Sequence, residues 1–286
     1  MAAEGTAPAT GWVGWFPVRA RRLLVRAGIA AVVTVNSLVL AVIAAAFLQA
    51  DVGVDWTMFV IAGERVFSGG LYDWPEGGLM VWRYSPAIAY LFAGLAPIGY
   101  LGWAALHLGA LALLPRRLGL IALVSFPFWT DVYNGNTVTF VFVAAVLALR
   151  GSRVAGIVFL ALLVLMPRPF MLPIGVYLLW TNRSLLLPFL VVLIAHVAVV
   201  IGSGWGPEWI ARLVGTARLT SEIAGNFGPT RIYGPAWLVA GIPLAVWLAR
   251  SGRVGLAGLA MSPYILATYY LMALVDWPRR STYRAS

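Results

Sequence analysis

The chain has 286 residues, 62% hydrophobic and only 10% charged, with twenty basic residues against ten acidic ones and no cysteine. So low a charged fraction excludes an ordinary soluble domain, where about a quarter of residues are charged; the lack of cysteine excludes disulfides and thiolate metal sites. The net charge of +10 is carried entirely by arginine, much of it in short clusters between apolar runs (Arg19/Arg21/Arg22/Arg26, Arg116/Arg117, Arg150/Arg153, Arg250/Arg253, Arg279/Arg280). That is the positive-inside pattern of cytoplasmic loops, not a nucleic-acid surface.

Backbone groups in lipid must pair internally, which leaves helices or a closed barrel. Long apolar runs without alternation select helices. The sequence therefore predicts an all-α, polytopic membrane protein forming one integral domain over 1–286, in the plasma membrane. A basic N-terminus (1–26) is expected in the cytoplasm, followed by an uncleaved spanning helix rather than a signal peptide, because its apolar run exceeds 20 residues. Apolar segments fall at 27–49, 86–114, 118–132, 137–149, 154–180, 184–203, 236–249 and 254–275. Pro97 and Gly99 make 86–114 a kinked helix or a tight pair; Pro167, Pro169 and Pro173 divide 154–180 near Arg168; and Pro263 divides the last segment. These breaks turn eight segments into about 8–11 transmembrane or half-membrane helices. With the N-terminus inside, the arginine clusters stay inside. Two polar loops, 50–85 and 204–235, then lie outside.

The first outer loop holds five of the ten acidic residues: Asp51, Asp55, Glu64, Asp73 and Glu76. Within it Trp56, Phe59, Val60, Gly63 and Phe67 follow helical spacing, with Thr57, Glu64 and Ser68 on another side. This predicts a short amphipathic helix in the membrane interface. Asp55 stands at its start, where a carboxylate caps free N–H groups. Gly69-Gly70 ends the helix, and an aromatic turn through Tyr72 follows. Tyr84 suits the aromatic belt and Pro86 a helix first turn. Arg83 lies on the side expected to be poor in arginine, where it either pairs with the acidic residues or clamps phosphate.

Asp131 to Thr137, including Asn134 and Asn136, forms a polar island that reads equally as a plain turn. Arg168 is flanked by Met166, Pro167, Pro169 and Phe170. An ionised side chain there costs about 2.5–3.5 kcal/mol at the centre of a membrane helix, so it must face a polar cavity or a partner. His107 and His196 are isolated in apolar segments and read first as hydrogen-bonded core residues; no zinc-ligand spacing is present. The loop 204–235 adds Trp205, Glu208, Trp209, Arg212, Arg218, Glu222, Asn226 and Arg231, and its Gly/Pro-rich stretch predicts turns rather than helix.

The order of these pieces resembles a known family. An aspartate after the first membrane helix is followed by an amphipathic helix, GGLYDW, RYSPAIAYLFAGLAPI, NGNTVTFVF and a basic residue in LLVLMPRPFMLP. This resembles the polyprenyl-phosphate-sugar-dependent glycosyltransferases of the GT-C class, specifically glycosyltransferase family 87, over 50–185 closely and 204–275 loosely. The chain departs from the family pattern in Tyr84-Ser85-Pro86 for Tyr-Pro-Pro, in Gly135-Asn136 for Gly-Gln, and in Arg168 for lysine. Family members are commonly longer, so a short or truncated member is expected.

The resemblance implies an inverting transferase moving a hexose, mannose by analogy, from a polyprenyl-phosphate donor to a lipid or glycan acceptor at the outer membrane face. No cofactor or metal is implied. Asp55 falls at the position of the general base. Arg83 and Arg168, with Arg231 third, would stabilise the departing phosphate; Tyr72, Tyr84, Asn134 and Asn136 complete the expected substrate-binding set. The alternative is a non-catalytic polytopic membrane protein: a transporter, a lipid-handling protein or a degenerate relative. A transporter should show paired repeats, and the sequence has none.

Overall fold

An apolar chain pairs its backbone most cheaply within each segment, and the computed structural model does so throughout. It describes residues 18–49, 52–74, 81–218 and 226–277, which are helical with no strand. The expectations that fall on residues 1–17, Asp51, Glu76, Glu222 and Arg279/Arg280 lie outside the described residues, as do those on the side chains of Arg19, Arg21, Arg22 and Arg218. The elements in chain order are α1 (Val18–Gln49), α2 (Val54–Ser68), α3 (Pro86–Leu95), α4 (Gly99–Ala112), α5 (Arg116–Leu123), α6 (Phe126–Asn134) and α7 (Val138–Leu149). They continue with α8 (Arg153–Leu165), α9 (Leu172–Thr181), α10 (Leu186–Gly202), α11 (Gly206–Arg218), α12 (Thr230–Tyr233), α13 (Trp237–Arg250) and α14 (Val254–Met261), followed by a 3-10 run over Ala267–Asp276. Among the described residues, four stretches are long and apolar enough to cross a membrane: Leu23–Leu48, Pro86–Ala112, Arg183–Gly202 and Thr230–Arg250.

The proline breaks fall where the sequence puts them. Helix α8 ends before Pro167 and Pro169, a 3-10 turn covers Pro169–Met171, and α9 follows. Helix α14 ends just before Pro263. In 86–114 the choice between a kink and a pair is decided by ring contacts. Phe92 and Trp103 would be about 16 Å apart along a straight helix, yet their ring centroids are 5.3 Å apart. The chain therefore kinks at the 3-10 turn Ala96–Ile98, with Gly99 at φ 66°, and the two halves do not pack as a pair: α3 lies mainly on α2, and α4 on α7 and α5.

Other parts differ from the sequence expectation. The segment 118–132 is two helices, α5 and α6, separated at Val124–Ser125 ahead of Pro127. Asn36 of α1 fills that break: its Nδ2 donates to the Val124 carbonyl (2.9 Å) and its Oδ1 accepts from the Phe126 N–H (2.8 Å). A polar side chain bridging helices in apolar surroundings satisfies groups the break would otherwise orphan. The stretch 204–235 is not all loop, since α11 occupies Gly206–Arg218 with Glu208 in its first turn. In α2 the buried face is Trp56, Met58, Phe59, Ala62, Gly63 and Val66. Phe67 is 73% exposed, on the other face from the one its spacing suggested.

Two large apolar clusters hold the described fold, with a small third one where Ala245 and Leu248 of α13 meet Ala257 of α14. One surrounds α7, which is buried on nearly all sides and packs against Phe159, Phe170, Met171, Leu271 and Met272. A helix apolar all round belongs in such a central place. The other is aromatic and fixes α2 on α3 and α4, with Phe59 stacked on Phe92 (4.1 Å) and Trp56 on Trp103 (5.2 Å).

Candidate functional site

Three connections meet at one end of the bundle: the entry to α2, the turn between α6 and α7, and the proline-interrupted turn between α8 and α9. The first two are tied together by backbone, the Gly53 N–H donating to the Tyr133 carbonyl at 2.7 Å. Gly53 holds the N-cap position of α2 at φ 79°, a left-handed conformation suited to glycine, and no side chain caps the helix. The reading of Asp55 as the N-cap is therefore corrected. Asp55 lies in the first turn, half-buried, with its carboxylate directed elsewhere.

That carboxylate accepts from the Asn136 Nδ2 at 2.6 Å. The orientation of the Asn136 amide is fixed on its other side, where Oδ1 accepts from the Thr137 N–H (2.6 Å) and from the Arg168 Nη2 (2.8 Å). Arg168 Nη2 also donates to the Thr137 Oγ1 (2.9 Å) and the Tyr84 hydroxyl (3.1 Å). One carboxamide thus joins a carboxylate to a guanidinium.

Arg168 is only 2% exposed, and its guanidinium carbon lies 5.6 Å from the Tyr84 ring centroid and 5.9 Å from that of Tyr269. Its local backbone is extended, φ −119° and ψ 132°, as expected of a residue followed by proline. Among the described residues it has no ion pair, and its Nη1 has no hydrogen-bond partner. A buried cation with an unused pair of N–H donors has the chemistry to receive an anion.

Electrostatics separates the two ends of this network. Burial pushes the Asp55 carboxyl up to about 6; the Arg168 cation pulls it back, the Asp131 carboxylate raises it further, and the Asn136 hydrogen bond lowers it. A carboxylate so placed is a stronger base than an exposed one and is still ionised at neutral pH. Burial likewise raises the Tyr84 and Tyr72 phenols, so both remain protonated donors.

Of the residues expected from sequence, Asp55, Tyr84, Asn136 and Arg168 converge. Tyr72 adjoins them: it is buried, and its hydroxyl donates to the Tyr84 carbonyl at 2.9 Å, while its own carbonyl accepts from the Arg212 Nη2 at 2.6 Å. Three do not join. Asn134 ends α6, half-buried, without a side-chain hydrogen bond among the described residues. Arg83 is half-buried and likewise makes neither hydrogen bond nor ion pair among them. Arg231 is exposed on α12, and its Nη1 donates to the Asn226 carbonyl at 3.3 Å, in a separate network that pins 226–230 to Ile265. Two site members were not singled out by sequence. Thr137 closes the polar island and gave that much signal; Tyr269 comes from a distant 3-10 run and gave none.

An apolar crevice of about 360 Å³, lined by Ala87, Tyr90, Val199, Gly202 and Ser203, opens between α3 and α10, one helical turn beyond Tyr84. Among the described residues no group of three or more His, Asp or Glu side chains gathers as a metal site would require. In comparisons with family models, curated proteins and solved structures, nothing matches the chain. The likeness to glycosyltransferase family 87 accordingly rests on the order of the sequence motifs alone.

Proposed function

We propose that the chain is a polytopic membrane glycosyltransferase that moves a hexose, mannose by the motif resemblance, from a polyprenyl phosphate to a lipid or glycan acceptor with inversion. The observation that carries this reading is the Asp55–Asn136–Arg168 relay: a base of raised pKa and an anion receptor held apart by one oriented carboxamide. Inverting transfer needs those two functions on opposite sides of one sugar carbon. The acceptor hydroxyl attacks the anomeric carbon as its proton passes to the Asp55 carboxylate. The anomeric C–O bond to the phosphate breaks, and its electron pair leaves on the polyprenyl phosphate, which Arg168 and Tyr84 neutralise and hydrogen-bond. Asn136 then sets the distance between base and leaving group. The apolar crevice between α3 and α10 is a suitable seat for the polyprenyl tail.

Placement in the membrane follows from the arginines. Helix α7 carries the chain about 18 Å from the site end before Arg150 and Arg153, and the turn and helix after Arg168 carry it about 15 Å before Arg183. By the positive-inside rule that arginine-rich end is cytoplasmic and the site faces outward, which suits a lipid-linked donor.

Arg168→Ala tests the anion role. Transfer by the protein in lipid vesicles should lose donor affinity, with donor KM rising at least about tenfold, one lost charge-assisted contact's worth, and acceptor KM nearly constant. Equal losses on both substrates would reject a donor-specific role.

A further inference from the structure

Below the relay lies a second pair of titratable groups that the transfer step does not use. His107 of α4 and Asp131 of α6 are both fully buried, with Nε2 3.5 Å from Oδ2. The imidazole is bounded by two backbone oxygens. Its Nδ1 is 2.9 Å from the Trp103 carbonyl, and its Nε2 is 2.9 Å from the Asn136 carbonyl. Carbonyl oxygens only accept. A neutral imidazole owns one N–H, so in either tautomer a nitrogen lone pair would point at one of these oxygens. Only the doubly protonated ring donates to both.

A buried imidazolium needs a counter-charge, and Asp131 supplies it. The Asp131 carboxylate also accepts from the Thr139 N–H (2.7 Å) and the Val138 N–H (3.3 Å), at the positive end of α7. Its backbone carbonyl accepts from the Asn136 N–H at 3.0 Å. Asn136 is thereby held at both backbone polar groups, N–H by Asp131 and C=O by His107, and its side chain leaves in one direction. The Trp103 and Phe140 rings close around the imidazole, at 5.4 and 4.6 Å. Among the described residues, Asp55, Arg168 and Tyr84 lie across Asn136 from this pair, Tyr100 of α4 donates to the Val132 and Tyr133 carbonyls beside Asp131, and the 3-10 run that carries Tyr269 and Asp276 packs on α6 and α7.

We propose that His107 is an imidazolium in the folded protein, and that its buried ion pair with Asp131 is the device that positions Asn136 between Asp55 and Arg168. Both are positioning residues, acting on the site through Asn136. Their bearing on sugar transfer rests on the function proposed above; the protonation state and the coupling to Asp55 do not.

The chain has two histidines and five aspartates, so selective labelling resolves each group. With ¹⁵N-histidine and a His196→Gln background, the full chain in lipid nanodiscs should show both ring nitrogens of His107 protonated at pH 7.5. A protonated nitrogen paired with a bare one would overturn the imidazolium. With ¹³C-carboxyl aspartate, assigned by Asp55→Asn, the Asp55 titration near 6 reports the coupling. His107→Gln leaves Asp131 uncompensated and loosens Asn136, so Asp55 should titrate about one pH unit higher. His107→Gln combined with Asp131→Asn cancels the change in charge but still leaves the Asn136 carbonyl without its imidazolium donor, so the titration should stay above wild type. An Asp55 titration unmoved by His107→Gln, or back at the wild-type position in the double variant, would overturn the positioning role and leave His107 a charge compensator. Should His107→Gln alone not fold, the double variant decides in the same way: a titration above 6 supports positioning, and a titration near 6 or a failure to fold contradicts it.

Discussion

The base proposed at Asp55 works only while ionised, and the raised pKa of that carboxyl fixes where that happens. The carboxylate form predominates above about pH 6 and is lost below it. Transfer should therefore fall about tenfold per pH unit on the acid side of 6, read as kcat/KM against pH. Arg168 lowers the Asp55 pKa, so Arg168→Gln should move that acid limb upward as well as weaken donor binding. Stability carries the opposite sign. A carboxyl whose pKa rises on folding stabilises the fold when protonated, and that contribution is lost as pH rises through about 6. At pH 7.5 Asp55→Asn should melt at the same temperature as wild type or higher, while transfer drops by about 10²–10⁴, the usual span of a general base. A melting point that falls along with activity would make Asp55 a structural residue.

The elements place the relay through a few tight junctions, and the turn before α7 is the most exacting of them. Gly135 has φ 71°, and a Cβ there would stand 2.6 Å from the Trp56 Cβ. Gly135→Ala should cost about 1–3 kcal/mol from the backbone conformation alone and push Asn136 away from α2, lowering both the unfolding midpoint and transfer. Wild-type activity in that variant would show that the turn tolerates displacement. How far the sequence revealed these junctions depended on where their partners lie. The break at Arg168 was legible, because Pro167 and Pro169 act on their own neighbours. The break at Val124–Ser125 was not, because the side chain that stabilises it, Asn36, is about ninety positions upstream. Helix α11 was hidden by its Gly- and Pro-rich flanks, although Pro207 and Glu208 are good first-turn residues. Asp55 was legible as a first-turn carboxylate but not as a ligand of Asn136, since Gly53 takes the capping position.

Across the whole molecule, the site gathers Asp55, Tyr84, Asn136, Arg168 and Tyr269 from five separate places: α2, the approach to α3, the α6–α7 turn, the α8–α9 turn and the 3-10 run. Periodicity within any one segment cannot reveal such an assembly; only the order of motifs pointed to most of its members. The same order misplaced Arg231, which the fold commits to the Asn226 network. The arrangement of charge gives a test of orientation that needs no substrate. The chain contains no cysteine, so single cysteines can be introduced without background. Thr57→Cys, exposed on α2 at the site end, should react with an impermeant maleimide on intact cells. Ser251→Cys, exposed beside Arg250 and Arg253, should react only after permeabilisation. The reverse pattern would turn the molecule over and place the site in the cytoplasm.

The most direct measurement is hexose transfer from a radiolabelled polyprenyl-phosphate mannose to a membrane-lipid acceptor extract by the purified protein in lipid, with wild type and Asp55→Asn side by side. The expected result is label in an acceptor with wild type and none with Asp55→Asn at equal folded amount. Near-normal transfer by Asp55→Asn would remove the base from the mechanism. No transfer by wild type from mannose, glucose or arabinose donors would contradict the enzyme reading and leave the relay as the core of a non-catalytic membrane protein.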